Sequence, residues 1–348
     1  MKKEILTFAG AMLCCFLWGS AFPAIKIGYG LWNIDGSATF QIIRFAGIRF
    51  FLAGILVIIF GSLIKKRLLL PKKNEWPQIL LLSVFQTIGQ YLFFYVGLAH
   101  TTGVNSAVVD SLTSFFAILL AAWAFHFEKL DAKKIIGCIL GMSGVVLINV
   151  TKDGFSFRPL GDGLVVLSAL CYGISSNMIK KYSTGHDTVL YSGYQFAAGG
   201  LVMTVLSEAG ILLSEGFSAA GLFLFRGDPD ANGAMVATET AGAGTVGAAV
   251  GILFYLALVS SVAYTLWGIL LRKNDVSKIS IFGFMNPVIG VVLSAVLLKE
   301  TGLLGIRYFL ALFLVSAGII LVNVRRPEKG KNENSAAEGA KRTTAWKK

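Results

Sequence analysis

Among the ionisable side chains inside the long apolar runs of this 348-residue chain, the candidates for chemistry are Lys26, Arg44, Arg49, Asp110 and Glu208. A charge at the centre of a bilayer costs about 2.5–3.5 kcal/mol on insertion scales, so such residues face a bundle interior or a watery cavity. Three bases against two acids leave a surplus positive charge, and its chemistry is to hold an anionic group such as a carboxylate. Asp110 and Glu208 are the candidates for proton coupling, because a carboxyl in an apolar span can exchange a proton reversibly. The plainer alternative is that some of the five pair off and lock helices together. Arg44 can also snorkel to the interface, as can Lys26.

Uncharged groups in the same runs extend the candidate binding set beyond Lys26 and Arg49. Gln86 and Gln90 stand four apart, hence on one face of an α-helix. Asn177, Gln195, Tyr264, Trp267 and Asn286 lie inside other runs. Trp18 is near the middle of its run, away from the interfaces where tryptophan collects. That separates it from Trp32, Trp76 and Trp123. For each of these residues alone, interhelical hydrogen bonding or packing is the competing reading. Asn286-Pro287 is sharper, since proline frees an upstream carbonyl that lipid cannot satisfy, so a bend beside a cavity is expected there. Gly137-x-x-x-Gly141 permits close helix approach, within the chain or between subunits of a homodimer.

Signatures of enzymes, metals and cofactors are missing from the sequence. His100, His126 and His186 have no ligand spacing, and no HExxH, P-loop or GxSxG occurs. GAGTVG (242–247) lacks the strand and helix context of a nucleotide loop. Cys14, Cys15, Cys138 and Cys171 read as small buried side chains. Neither a cofactor nor a catalytic group is expected.

The elements that carry these residues follow from composition. Hydrophobic residues make up 55% of the chain and charged ones only 14%, against roughly 25% charged in soluble domains; the mean hydropathy is +0.71. Apolar runs of about 20 residues span the roughly 30 Å hydrocarbon core. They fall near 6–28, 40–63, 77–98, 104–126, 134–150, 160–180, 189–213, 248–271, 277–298 and 303–324. The fold class expected is an all-α polytopic membrane protein with ten spans. The runs do not alternate, which argues against a barrel.

Ten spans put both termini on one side. That side holds 23 Lys and Arg, from Lys2 through the Lys65–Lys73 loop to the tail, and the other holds 5. The positive-inside rule then places both termini in the cytoplasm of a cell-membrane protein. The net charge of +12 is thereby topology, not a nucleic-acid footprint. The first run exceeds a signal-peptide core and reads as an uncleaved helix.

The chain also repeats itself. GMSGVVLINV (141–150) returns as VSAGIILVNV (315–324), and Trp18-Gly19 precedes Lys26 as Tyr172-Gly173 precedes Lys180. Arg49-Phe50 and Gly54 match Gln195-Phe196 and Gly200, while Val104 and Glu128 match Val276 and Glu300. Each half (1–150 and 160–324) holds five spans. Five is odd, so the halves enter the membrane from opposite sides: an inverted repeat, the architecture of secondary transporters with a midplane site. Residues 214–247 are expected to form a flexible extracytoplasmic insertion, and 325–348 a basic tail.

These motifs resemble the EamA family of the drug/metabolite transporter superfamily. The carrying residues are FLWGSAFPAIK (16–26), RFFLAG (49–54), MNPVIGVVLSAVLLKE (285–300), and the stretch from Glu128 to Ile148 with its copy from Glu300 to Val322. The family often has a proline partway along span four; here Ser114-Phe115 stands in its place. The resemblance implies a ten-helix permease with a central cavity that moves small metabolites, amino acids or drug-like molecules, most often outward. An integral membrane enzyme would need a carboxylate or His cluster at one interface. A channel would need rings of repeated polar residues or a filter sequence. The sequence contains neither.

Overall fold

The computed structural model describes residues 2–35, 37–100, 109–149, 158–215, 243–297 and 306–323, and every regular element among them is helical. The helices are α1 (Lys2–Leu31), α2 (Thr39–Ile64), α3 (Trp76–Ser83), α4 (Gln90–Ala99), α5 (Leu112–Trp123) and α6 (Ala132–Asn149). They continue with α7 (Pro159–Ser183), α8 (Thr188–Glu215), α9 (Ala243–Lys273), α10 (Val276–Ser280), α11 (Met285–Leu297) and α12 (Ile306–Asn323). Val104, Glu300, most of the 214–247 insertion and the basic tail lie outside the described residues.

Among the described residues, six stretches are long and apolar enough to cross a membrane: Glu4–Leu31, Thr39–Ile64, Trp76–Gly97, Pro159–Ser183, Thr188–Leu213 and Val246–Lys273. Leu112–Trp123, Val276–Gly290 and Leu310–Asn323 are shorter apolar helices. Leu6 and Phe313 are more than two-thirds exposed, and Ile59, Phe60, Leu206 and Phe254 about half. An exterior of this kind is stable against lipid tails, not water.

Two spans change helix type partway. α3 passes through a π-helical turn, Val84–Gly89, before α4 begins, and α10 passes through a 3-10 turn, Ile281–Phe284, before α11. The second break lies where Pro287 withdraws a backbone donor. The α-helix is thus interrupted where a bend is expected, and the tightened turn includes Gly283, whose carbonyl the proline frees. Nothing in the local sequence announced the π turn.

The bundle is organised around α2 and α8, which make its most extensive helix pair. Their backbones approach closely at glycines. A methyl placed on Gly54 would sit 2.6 Å from the Gly193 carbonyl oxygen, and one on Gly200 2.6 Å from the Gly47 carbonyl oxygen. No side chain fits at either crossing. α6 and α12 form the second large pair. Gly137 faces Val322 and the Gly318 carbonyl, and Gly141 faces the Phe284 ring, so this GxxxG packs within the chain. α1 lies along α9 and α11, while α7 lies along α4 and α5.

One end of the bundle collects the basic residues. There Lys65 pairs with Asp187, Lys134 meets Glu128 at 2.6 Å, and the His186 ring nitrogen lies 2.9 Å from Glu75. Partial burial works against a charged Glu75. The Lys72 backbone N–H and the His186 ring outweigh it and hold the carboxyl below its usual range. At the opposite end Trp32 donates to the Ala249 carbonyl at 3.0 Å, and Arg44 pairs with Glu208 at 3.4 Å.

Candidate functional site: a cavity around Arg49

A cavity of about 130 Å³ opens between α1, α2, α4, α5, α7, α9 and the bend before α11. At about 10–15 Å³ per water-sized site, it has room for a ligand of about ten heavy atoms. Its polar wall is Arg49, Gln90, Tyr91, Tyr95, Asp110, Thr113, Tyr172, Ser260, Tyr264 and Asn286. Trp18, Ala21, Ile25, Phe94, Val259 and Gly283 complete it.

Aromatic rings hold the site in place. Trp18 meets Tyr264 and Trp267 edge-on, each at 4.9 Å between centroids. Tyr264 meets Phe196 at 5.1 Å, Phe196 stacks on Phe50 at 5.4 Å, and Phe50 lies 4.3 Å from Tyr91. The hydroxyls of Tyr91 and Tyr264 bond to each other and close the ring. Offset and edge contacts of this type each add roughly 0.5–1.5 kcal/mol beyond area burial.

Arg49 is 4% exposed, and its guanidinium carbon lies 4.5 Å above the Phe50 ring and 5.8 Å from that of Tyr91. Among the described residues it makes no ion pair, and its Nε has no hydrogen-bond partner. The two rings stabilise the cation without neutralising it. Trp18 Nε1, Gln90 Oε1 and Asn286 Oδ1 are likewise unpartnered among the described residues. A buried donor or acceptor left unpaired costs about 1–3 kcal/mol, so each of these atoms has bonding capacity to offer a polar group placed in the cavity.

Of the residues singled out from sequence, Trp18, Arg49, Gln90, Asp110, Tyr264 and Asn286 line this one cavity. The others are elsewhere. Lys26 is exposed. Gln195 is buried and accepts from Thr87 at 2.7 Å, and Asn177 donates to the Ala117 and Gly173 carbonyls. Trp267 is buried beneath Trp18. Glu208 is paired with Arg44, whose side chain is 10% exposed and does not snorkel free. Gln86 is buried off the cavity, because the π turn between it and Gln90 breaks the four-residue stacking of a regular helix. Tyr91, Tyr95 and Tyr172 escaped the sequence reading. Tyr91 adjoins Gln90 and Tyr95 follows one helical turn later, a spacing that pointed to the same face.

An all-α bundle with an apolar exterior and an internal polar cavity is the build of a multi-pass membrane protein with a site inside it. The EamA-like transporter family model matches residues 5–150 and again 159–324. The chain belongs to that family, and it is a multi-pass membrane transporter of small metabolites. It is 28% identical to a probable amino-acid metabolite efflux pump of Escherichia coli, over 89% of this chain and 92% of that one. It is 25% identical to the Bacillus subtilis transporter YvbV over 97% of both chains. A chloroplastic WAT1-related protein of Arabidopsis thaliana is 25% identical over 89% of this chain, which spans 66% of that protein's length. A solved crystal structure superposes with a TM-score of 0.67 over 91% of this chain and 96% of that one, at 16% identity. That likeness concerns the fold alone.

Proposed function

We propose that this protein is a secondary transporter of two inverted five-helix repeats, which carries a small carboxylate-bearing metabolite out of the cell by alternating access. The observation that carries the substrate reading is Arg49, a buried cation among aromatic rings with no carboxylate among the described residues paired to it. An amino acid of about ten heavy atoms suits the wall: carboxylate to Arg49, ammonium to Asp110, apolar side chain to Trp18, Phe94 and Tyr264. Of the two carboxylates considered for proton coupling, Asp110 has access to the cavity, whereas Glu208 is held by Arg44.

The repeat is supported by how equivalent residues meet. In the register that matches Arg49-Phe50 to Gln195-Phe196, Gly47 corresponds to Gly193 and Gly54 to Gly200. Gly47 meets Gly200, Gly54 meets Gly193, and Phe50 stacks on Phe196. Self-complementary contact of this kind is what a two-fold axis produces. Whole helices obey it too: α1 on α9 answers α7 on α4, and α1 on α11 answers α7 on α5. The family model matching each half is further support. With the basic end taken as cytoplasmic, ten spans would carry the helices alternately through the membrane.

The test is counterflow in proteoliposomes with purified protein, using amino acids, their amides and decarboxylated amines, with and without an imposed proton gradient. Uptake of the free acids but not the amides is the expected result. Equal exchange of acid and amide would refute the carboxylate reading.

A further inference from the structure

Toward the basic end, beside the Lys65–Asp187 and His186–Glu75 pairs, one further side chain ties the two halves together. Glu128, on the loop between α5 and α6, reaches the start of α10. Its carboxylate accepts from the Ser277 backbone N–H at 3.0 Å and from the Ser277 hydroxyl at 2.7 Å. Lys134 completes its shell at 2.6 Å. The side chain is 8% exposed. Of the segment it holds, Val276 to Phe282, the Lys278 side chain reaches out of the bundle, while none of Val276, Ser277, Ile279, Ser280, Ile281 and Phe282 is more than 3% exposed.

A second observation is independent of this contact. Between the cavity and the basic end lie Gln195 Nε2, Trp267 Nε1, Asn177 Oδ1, Ser280 Oγ and Thr188 Oγ1, all buried and without a hydrogen-bond partner among the described residues. A region that was only packing would have no use for five unpaired polar atoms. A region that becomes a wetted wall in another state would. Helix pairing points the same way. α7 and α9 pack together, with Ile179 and Thr188 near Gly268, whereas their counterparts α1 and α4 face each other across the cavity. One departure from two-fold pairing among the described residues is thus a packed end opposite a cavity.

We propose that Glu128 is the releasable catch of the inner gate. While it holds Ser277, the basic end is shut; when it lets go, α10 leaves α5 and the five polar groups become the lining of a vestibule open to that end. The inference rests on the alternating-access reading above, but its test does not require knowledge of the substrate.

Single reporter cysteines, Ser280→Cys below the catch and Ala21→Cys in the cavity wall, are labelled with a membrane-impermeant thiol reagent in right-side-out and everted vesicles. The chain without a reporter sets the background from Cys14, Cys15, Cys138 and Cys171. Adding Glu128→Ala is expected to speed labelling of the Ser280→Cys reporter at least about ten-fold, the weight of one charge-assisted hydrogen bond. The gain comes from the basic face only, while labelling of the Ala21→Cys reporter from the other face falls. Ser277→Ala, which keeps the backbone bond, moves both rates the same way by less. Unchanged labelling overturns the proposal, and so does a gain at both reporters from both faces, the pattern of a loosened fold. Shifted labelling without transport in the liposome assay would retain the catch and remove the transport reading. Transport with unshifted labelling would do the reverse.

Discussion

Replacing Arg49 by glutamine removes the cavity's unpaired cation while preserving most of its volume. The guanidinium is held by two ring faces, at 4.5 and 5.8 Å, and is not neutralised by a protein carboxylate among the described residues. Its loss therefore falls mainly on the bound ligand. A hydrogen bond to a charged group is worth about 1.5–3 kcal/mol, which at 1.4 kcal/mol per decade is a 10- to 150-fold weakening. The lost ring contacts cost the empty protein about 0.5–2 kcal/mol, so Arg49→Gln should still fold and insert. Counterflow then gives an apparent affinity lower by that factor for a free amino acid and nearly unchanged for its amide. Arg49→Lys keeps a point charge but not the planar fork, and should fall between. Equal weakening for acid and amide, or no change for the acid, would refute the assignment of Arg49 to a carboxylate.

Three other outcomes follow from the geometry. Asp110→Asn should abolish any dependence of transport on a proton gradient while Glu208→Gln retains it, as measured by accumulation with the gradient imposed and collapsed. Gly54→Leu should lower stability by about 1–3 kcal/mol or more through overpacking, because even its Cβ would lie 2.6 Å from the Gly193 oxygen; a thermal shift in detergent checks it. Glu75 is held below its usual carboxyl range, so its contribution to stability is present above its unfolded value of about 4.5 and lost as pH falls through the lower folded value. Glu75→Gln should flatten that acid limb in a melt-versus-pH series, and a limb unchanged by the substitution would contradict the assignment.

Charge placement and apolar run length foreshadowed the helices, because the cost of burying backbone and charge in lipid leaves a chain few alternatives. The bend at Asn286-Pro287 was legible for a covalent reason, the missing donor. Gln86 was misjudged with Gln90 because a π turn has no dependable sequence mark, and it alters which residues share a face. Lys26 and Glu208 looked like Arg49 and Asp110 in sequence, being charges within apolar runs. Only packing separates a charge that reaches the surface, or one with a partner on a neighbouring helix, from one turned to the cavity. The tyrosines stayed hidden because a phenol suits a lipid-facing, packed or wetted position equally well.

Phe50 on Phe196, and Tyr91 bonded to Tyr264, join the two halves near their meeting line. Contacts along such a line keep the same company when a molecule rocks about it, so altering them raises or lowers both end states together. A state preference can change only through groups that differ between those states. Mutations at the central rings should therefore tune turnover without biasing which way the molecule faces, and drift toward a permanently one-sided form should come from the periphery, where Glu128 sits.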